Sequence, residues 1–386
     1  MLKDNKMIRN TEIQSSNNKN RLKSIDIIKG IAILMIIFVH STQKFPNLNG
    51  ILKGISRYGQ MGCQAFFLIS GFTLCLSASR KGLHGFYKSR FINIAPGYYF
   101  MIILYLILNT IIGVFNLPVA VETNTTWIGI VVNLLFLNGV IYKYNNNVVP
   151  GGWYIGTIAI FYLIFPFIYK VLEKIKSKKI LYALPYIVGI FSLVIQIIFG
   201  IYKGTSIYSQ NNSFIYFSIL NQLPCMLLGM ILFYKYKDGK LSEYTPKTSL
   251  FKAIIWMIIS MILFYSEIPF IFSIIPLTAT KSFYWIFIYI NYNINKIKSG
   301  LQNFLANWGN ISYEAFLVHV VLVYYIPTYL IFILKYLELN IDDTLLYAII
   351  ILPLYILTFY LAKKFKKALT KIQDKLRNIL LKNKIN

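Results

Sequence analysis

The feature that most constrains this chain is a succession of apolar, aromatic-rich runs of about 20 residues, with charges gathered at their ends. A helix of that length crosses the roughly 30 Å hydrocarbon core of a bilayer. Runs this long and aromatic-rich, with charges only at their ends, have no place but in lipid. Runs of this kind are expected to span at 25–45, 60–79, 92–115, 153–170, 180–201, 214–235, 250–266, 269–292, 311–335 and 344–362. Charged residues make up 13% of the chain, about half the share usual in soluble domains. The wealth of Ile, Phe and Tyr excludes a disordered chain. Three cysteines are too few for a disulfide scaffold. The expected fold is all-α, a polytopic membrane helix bundle of about ten transmembrane helices.

The formal net charge of +26 falls in short clusters between the apolar runs. That pattern fits basic loops held on the cytoplasmic face rather than a nucleic-acid partner. The loop with Arg80, Lys81, Lys88 and Arg90 and the loop from Lys170 to Lys179 should both be cytoplasmic, so an even number of crossings separates them. Segment 126–142 is therefore expected not to span, and both termini fall inside. The implied organisation is a polar tail at 1–24, a membrane domain at 25–366 and a basic cytoplasmic tail at 367–386. After the first run, His40-Ser41-Thr42-Gln43-Lys44 does not supply the small-residue pattern of a signal cleavage site. The absence of an internal repeat argues against a transporter built from inverted halves.

Ionisable residues inside apolar runs are costly and so draw attention. Of three histidines, His40 and His319 lie within such runs, while His84 sits in a basic loop and reads as a solvated surface residue. Asp26 and Lys29 are three apart and share a helix face. Lys29 and His40 are eleven apart, close to three turns, which sets them on one stripe about 16–17 Å apart along the axis. The spacing alone leaves two readings open. One is a snorkelling lysine with an unrelated histidine; the other is a stripe with an anion binder at one end and an acid/base at the other.

Five blocks in order resemble the acyltransferase-3 family of integral membrane acyltransferases. The first is Arg21-x4-Asp26-x2-Lys29-Gly30-x9-His40, followed by Gly62-x3-Phe66-Phe67-x2-Ser70-Gly71-Phe72. Next come the stretch from Phe86 through Arg90 to Pro96, and Trp153-Tyr154-Ile155 with Tyr162 and Pro166. The last is Trp308-Gly309-Asn310-Ile311-Ser312-Tyr313 with Leu317 and His319. Two positions depart from the family pattern. Asn93 stands where a second arginine is common, and Gly156 begins a stretch where many members carry a glutamate.

The resemblance implies transfer of an acyl group from cytoplasmic acyl-CoA, acetyl-CoA above all, to a hydroxyl of an envelope carbohydrate or lipid-linked acceptor. It implies His40 as the base, because imidazole accepts a proton near neutral pH. Lys29 and Arg90, with Lys88 beside them, would neutralise the donor's phosphates. Asp26 either orients Lys29 or complements the helix N-terminus. Ser70 either admits the ligand or packs helices. Trp153 either stacks on a sugar or anchors at the interface. Ser312, Tyr313 and His319 complete the set of site residues. No metal constellation is present, neither HExxH nor a Cys/His cluster. The expected location is a bacterial cytoplasmic membrane. The competing class, a polysaccharide or lipid-linked-sugar transporter, calls for polar residues along a path open to each side in turn. Here they concentrate on the first three helices and one late one.

Overall fold

The computed structural model describes residues 23–123, 125–203, 216–266, 268 and 271–382. Arg21 and the tail before residue 23 lie outside the described residues, as do the first residues of the runs at 214–235 and 269–292. Every regular element among the described residues is helical. In chain order these are α1 (Lys23–Ser41), α2 (Gly50–Arg57), α3 (Gly62–Lys81), α4 (Phe86–Phe115) and α5 (Trp127–Leu134). Then come α6 (Gly152–Lys174), α7 (Lys178–Lys203), α8 (Ile219–Lys237), α9 (Pro246–Tyr265) and α10 (Ile275–Asn293). The last are α11 (Ser299–Asn310), α12 (Ser312–Val320), α13 (Ile326–Tyr336) and α14 (Asp343–Lys382).

Among the described residues nine helical stretches are long and apolar enough to cross a membrane, counting α2–α3 and α12–α13 as one each. Helix α10 has 19 residues, a matching length, but Lys281 and its hydroxyl and amide residues lower its apolarity. It packs against α9, α8 and α3. Its small hydroxyl residues are satisfied within the helix, with the Thr280 hydroxyl donating to the Pro276 carbonyl at 2.7 Å and that of Ser282 to the Ala279 carbonyl at 2.7 Å. The expected ten-helix bundle thus consists of nine apolar stretches and one polar inner helix.

Segment 126–142 begins with the eight-residue α5, about 12 Å long and well short of a bilayer. It then breaks into tight turns at Leu137–Gly139 and Tyr142–Tyr144. These turns dock on α6, where Asn138 donates to the Gly152 carbonyl at 2.9 Å. A Cβ on Gly156 would lie 2.4 Å from the Gly139 nitrogen. The Asn138–Gly139 turn therefore leaves no room for a side chain at Gly156.

Two close crossings hold the centre. In the α3–α8 pair, Gly71 abuts the Met226 carbonyl and Gly229 abuts the Leu68 carbonyl; a Cβ would sit 2.0 and 1.9 Å from those oxygens. In the α1–α11 pair, Gly30 meets the Leu305 carbonyl and Gly309 the Asp26 carbonyl, at 2.0 and 1.8 Å by the same measure. Small residues let backbones approach where lipid offers no hydrophobic drive to associate. Burial follows: of the most apolar 18-residue stretch, 78% is buried in α2–α3 and 72% in α8, against 22% in α7 and α9, whose apolar faces look outward.

Helix α12 runs into α13 through a wide π turn at Val321–Tyr325. Pro327 accounts for it, lacking an amide hydrogen and crowding the carbonyl of Val323 four residues back. Helix α14 has 40 residues, about 60 Å, and so outruns the bilayer. The boundary placed at 366 falls inside it, and the helix continues over the basic residues to Lys382.

Candidate active site

A cavity of about 330 Å³ opens between α1, α3, α4, α6, α12 and α14. Lys29 comes from α1, Ser70 and Thr73 from α3, and Arg90 and Asn93 from α4. Tyr154 and Tyr162 come from α6, Ser312, Tyr313, Glu314 and Phe316 from α12, and Gln373 from α14. Arg90 lies against the rings of Phe86 and Tyr162, 5.3 and 5.8 Å from their centroids. Its hydrogen bond to the Ser77 hydroxyl is long at 3.4 Å, and its Nε is buried with no partner among the described residues. A guanidinium held by aromatic faces with donors to spare is arranged to receive an anion. Lys29 is within electrostatic range of Asp26 and Glu314, which oppose its charge, and of Lys366, which repels it.

Asn93 has its own partner. Arg377 of α14 donates to its side-chain oxygen at 2.8 Å, and Gln373 donates to its backbone carbonyl at 3.1 Å. A guanidinium therefore does reach the position, supplied from the C-terminal helix and tied to Asp374 at 2.8 Å.

At the far end of α1 stands a histidine pair. The His40 and His319 rings are 5.2 Å apart and tilted by 44°. His40 Nδ1 lies 3.1 Å from Gln43 Oε1 and 3.2 Å from the Tyr324 hydroxyl, and Tyr324 itself donates to Gln43 Oε1. An amide oxygen only accepts, so in this arrangement His40 carries its proton on Nδ1. His319, 1% exposed, donates from Nδ1 to the Phe316 carbonyl at 2.7 Å. Its Nε2 is buried with no partner among the described residues. Both rings are thus fixed in the tautomer that leaves Nε2 as a lone pair. The π turn carries Tyr324 to His40, and Phe316, which lines the cavity, lies 5.6 Å from the His319 ring.

Of the residues singled out by sequence, Lys29, Ser70, Arg90, Ser312 and Tyr313 meet around the cavity, and His40 and His319 meet beside it. Asp26 is not on the cavity wall and forms no ion pair with Lys29 among the described residues; its carbonyl is the one Gly309 packs against. Trp153 is 7% exposed and stacks on Phe217 at 4.5 Å, away from the lining. Lys88 and His84 are exposed. Sequence reasoning missed Glu314, although it stands between two residues it had marked. It also missed Gln43 and Tyr324, which no charge or motif distinguishes, and Gln373 and Arg377, which lie in the stretch read as a tail.

The family model described as an acyltransferase domain matches residues 22–363. Among curated proteins, "Acyltransferase MdmB" of Streptomyces mycarofaciens is 28% identical over 172 residues, covering 42% of each chain. The match thus spans less than half the length of that relative. No solved structure matches.

Proposed function

Since the chain belongs to the acyltransferase-3 family, with the matched domain over residues 22–363, we propose that it transfers an acyl group, acetyl in the first instance, from acyl-CoA to a hydroxyl of an envelope carbohydrate or lipid-linked acceptor. The observation that carries this reading is the pairing of a cavity bearing Lys29 and Arg90 with two Nε2 lone pairs, one on His40 at the other end of α1 from Lys29 and one on His319 of α12 beside it. Lys29 and Arg90 neutralise the phosphates of the donor, and the 330 Å³ cavity takes the acyl-pantetheine arm rather than the whole coenzyme. His40 Nε2 accepts the proton of the attacking hydroxyl. The new C–O bond forms as the thioester C–S bond breaks, and the imidazolium returns its proton to the departing thiolate. His319 Nε2 accepts from a second hydroxyl of the acceptor and orients it. Ser70, Ser312 and Tyr313 line the arm's path. Asp26 acts on Lys29 through space, and Trp153 supports the α6 end of the cavity by packing.

The donor arrives from the side bearing the basic loops, which in this reading is the cytoplasm of a bacterial cell, with both termini on that side. The deciding experiment compares envelope glycans by mass spectrometry with and without the gene, and with His40→Gln at equal membrane abundance. An O-acyl mass difference that disappears in both deficient strains is expected. Glycans identical in all strains would overturn the reading and return the transporter class to the front. A cytoplasm-only reporter fused after Lys179 tests the orientation, and silence from stably inserted protein would reverse it.

A further inference from the structure

Outside the cavity the bundle gathers a second set of basic groups, on α8, α9 and α10, helices that contribute nothing to the cavity wall. Lys235 lies near the end of α8, Lys252 in the second turn of α9, and Lys281 two turns into α10. The three are mutually close enough that Lys281 feels the charges of both others, and no carboxylate figures among its electrostatic neighbours. The nearby Asp238 is taken by Lys178 at 2.6 Å. Three ammonium groups brought together without a counter-charge repel one another, and the repulsion is strongest away from bulk water.

Aromatic rings line the cluster. Lys281 lies 5.0 Å from the ring centroids of both Tyr186 and Tyr284 and donates to the Tyr186 hydroxyl. Lys235 lies 4.7 Å from the Tyr182 centroid and donates to the Tyr244 hydroxyl at 3.0 Å. Lys252 sits 4.5 Å from the Trp285 centroid. The phenols converge as well: Tyr284 is within electrostatic range of Tyr182, Tyr186 and Tyr244. Yet the hydroxyl of Tyr284, a residue only 2% exposed, is buried with no partner among the described residues, and so is that of Tyr182. Ring faces soften the charge of an ammonium but leave its N–H groups unsatisfied. Buried hydroxyl donors without acceptors are costly too. Both deficits call for the same thing, a multivalent acceptor that carries negative charge.

We propose that the cluster of Lys235, Lys252 and Lys281 with the phenols of Tyr182 and Tyr284 is a binding site for a phosphate-bearing ligand, separate from the acyl-transfer cavity. A phosphate or diphosphate group offers several anionic oxygens to ammonium and phenol donors at once. The group belongs either to a soluble phosphate compound or to the headgroup of a phospholipid in the adjoining leaflet.

The test uses the full-length protein in nanodiscs of phosphatidylcholine. One arm titrates sodium pyrophosphate; the other replaces a minor fraction of the lipid with phosphatidylglycerol. Thermal unfolding is read for wild type, Lys281→Gln, Lys281→Arg and Lys252→Gln. At least one arm raises the wild-type Tm, the rise disappears in Lys281→Gln and returns in Lys281→Arg, and Lys252→Gln weakens the apparent affinity about tenfold. A response to pyrophosphate assigns the site to a soluble phosphate, and a response to phosphatidylglycerol alone assigns it to a lipid. Lys252 is exposed, so its variant keeps the test decisive if Lys281→Gln does not fold. An unmoved wild type in both arms overturns the proposal. So does a rise that wild type and the lysine-to-glutamine variants share equally, since the probe would then be bound elsewhere.

Discussion

The two ends of the first helix place their functional side chains in opposite surroundings. Around Lys29 the bundle opens, with about 330 Å³ of space, a guanidinium with an unpartnered Nε and several small or polar residues on the wall. Around His40 it closes, and Gln43, Tyr324 and the His319 ring hold the imidazole in one tautomer. The contrast follows from what each end is proposed to do. A group that binds an anion must keep its donors free until the ligand arrives. A group that takes a proton must be oriented beforehand, so that no reorganisation is needed at the moment of reaction.

The comparison is broken most completely by moving the helix itself. Gly309→Leu drives a side chain into the Asp26 carbonyl, where even a Cβ would be 1.8 Å away. Both ends should fail together, with folded protein in the membrane reduced by a destabilisation of about 3 kcal/mol or more; quantitative immunoblotting of membranes checks it. Wild-type abundance would mean that α1 and α11 can separate without loss.

A second change separates the ends. His40→Gln should lower turnover by roughly 10²–10⁴-fold while donor KM and abundance stay near wild type. Steady-state assays in purified membranes decide this, and retained turnover at equal abundance would pass the base role to His319. Lys29→Ala should do the reverse. Donor KM is expected to rise roughly tenfold or more with turnover less affected, the loss of one charge-assisted contact. An unchanged donor titration would leave Lys29 as a lipid anchor. The smallest effect is expected from Tyr324→Phe, which removes one hydroxyl from the closed end. Turnover should fall about fivefold, matching a single hydrogen bond of about 1 kcal/mol, and a fall as deep as that of His40→Gln would make Tyr324 a proton-transfer group in its own right.

The chain's two classes of helix show how far a sequence of this kind can be read. Lipid-facing helices such as α7 and α9 announce themselves, because nothing but hydrocarbon surrounds most of their surface. Helix α10 does so less clearly, since its neighbours rather than lipid meet its polar atoms, and composition alone sets it below the others. The same holds at the site. Lys29 and His40 are legible because their eleven-residue separation survives in any straight helix. Arg377 at Asn93 is not, because the two are 284 positions apart and only the path of α14 brings them within 2.8 Å.

The sequence by itself determined that the chain forms membrane helices, which runs they occupy, and which stripe of α1 carries Lys29 and His40. These are consequences of length, apolarity and helical period, all local quantities. Only the tertiary structure decided which helices lie inside, that Ser70, Arg90 and Tyr313 share a cavity with Lys29, and that His319 meets His40. It also decided the tautomer of each ring, through the carbonyl of Phe316 and the amide of Gln43. The reason is physical: lipid is as apolar as most of these helices, so their arrangement rests on small-residue crossings and hydrogen bonds between segments far apart in the chain.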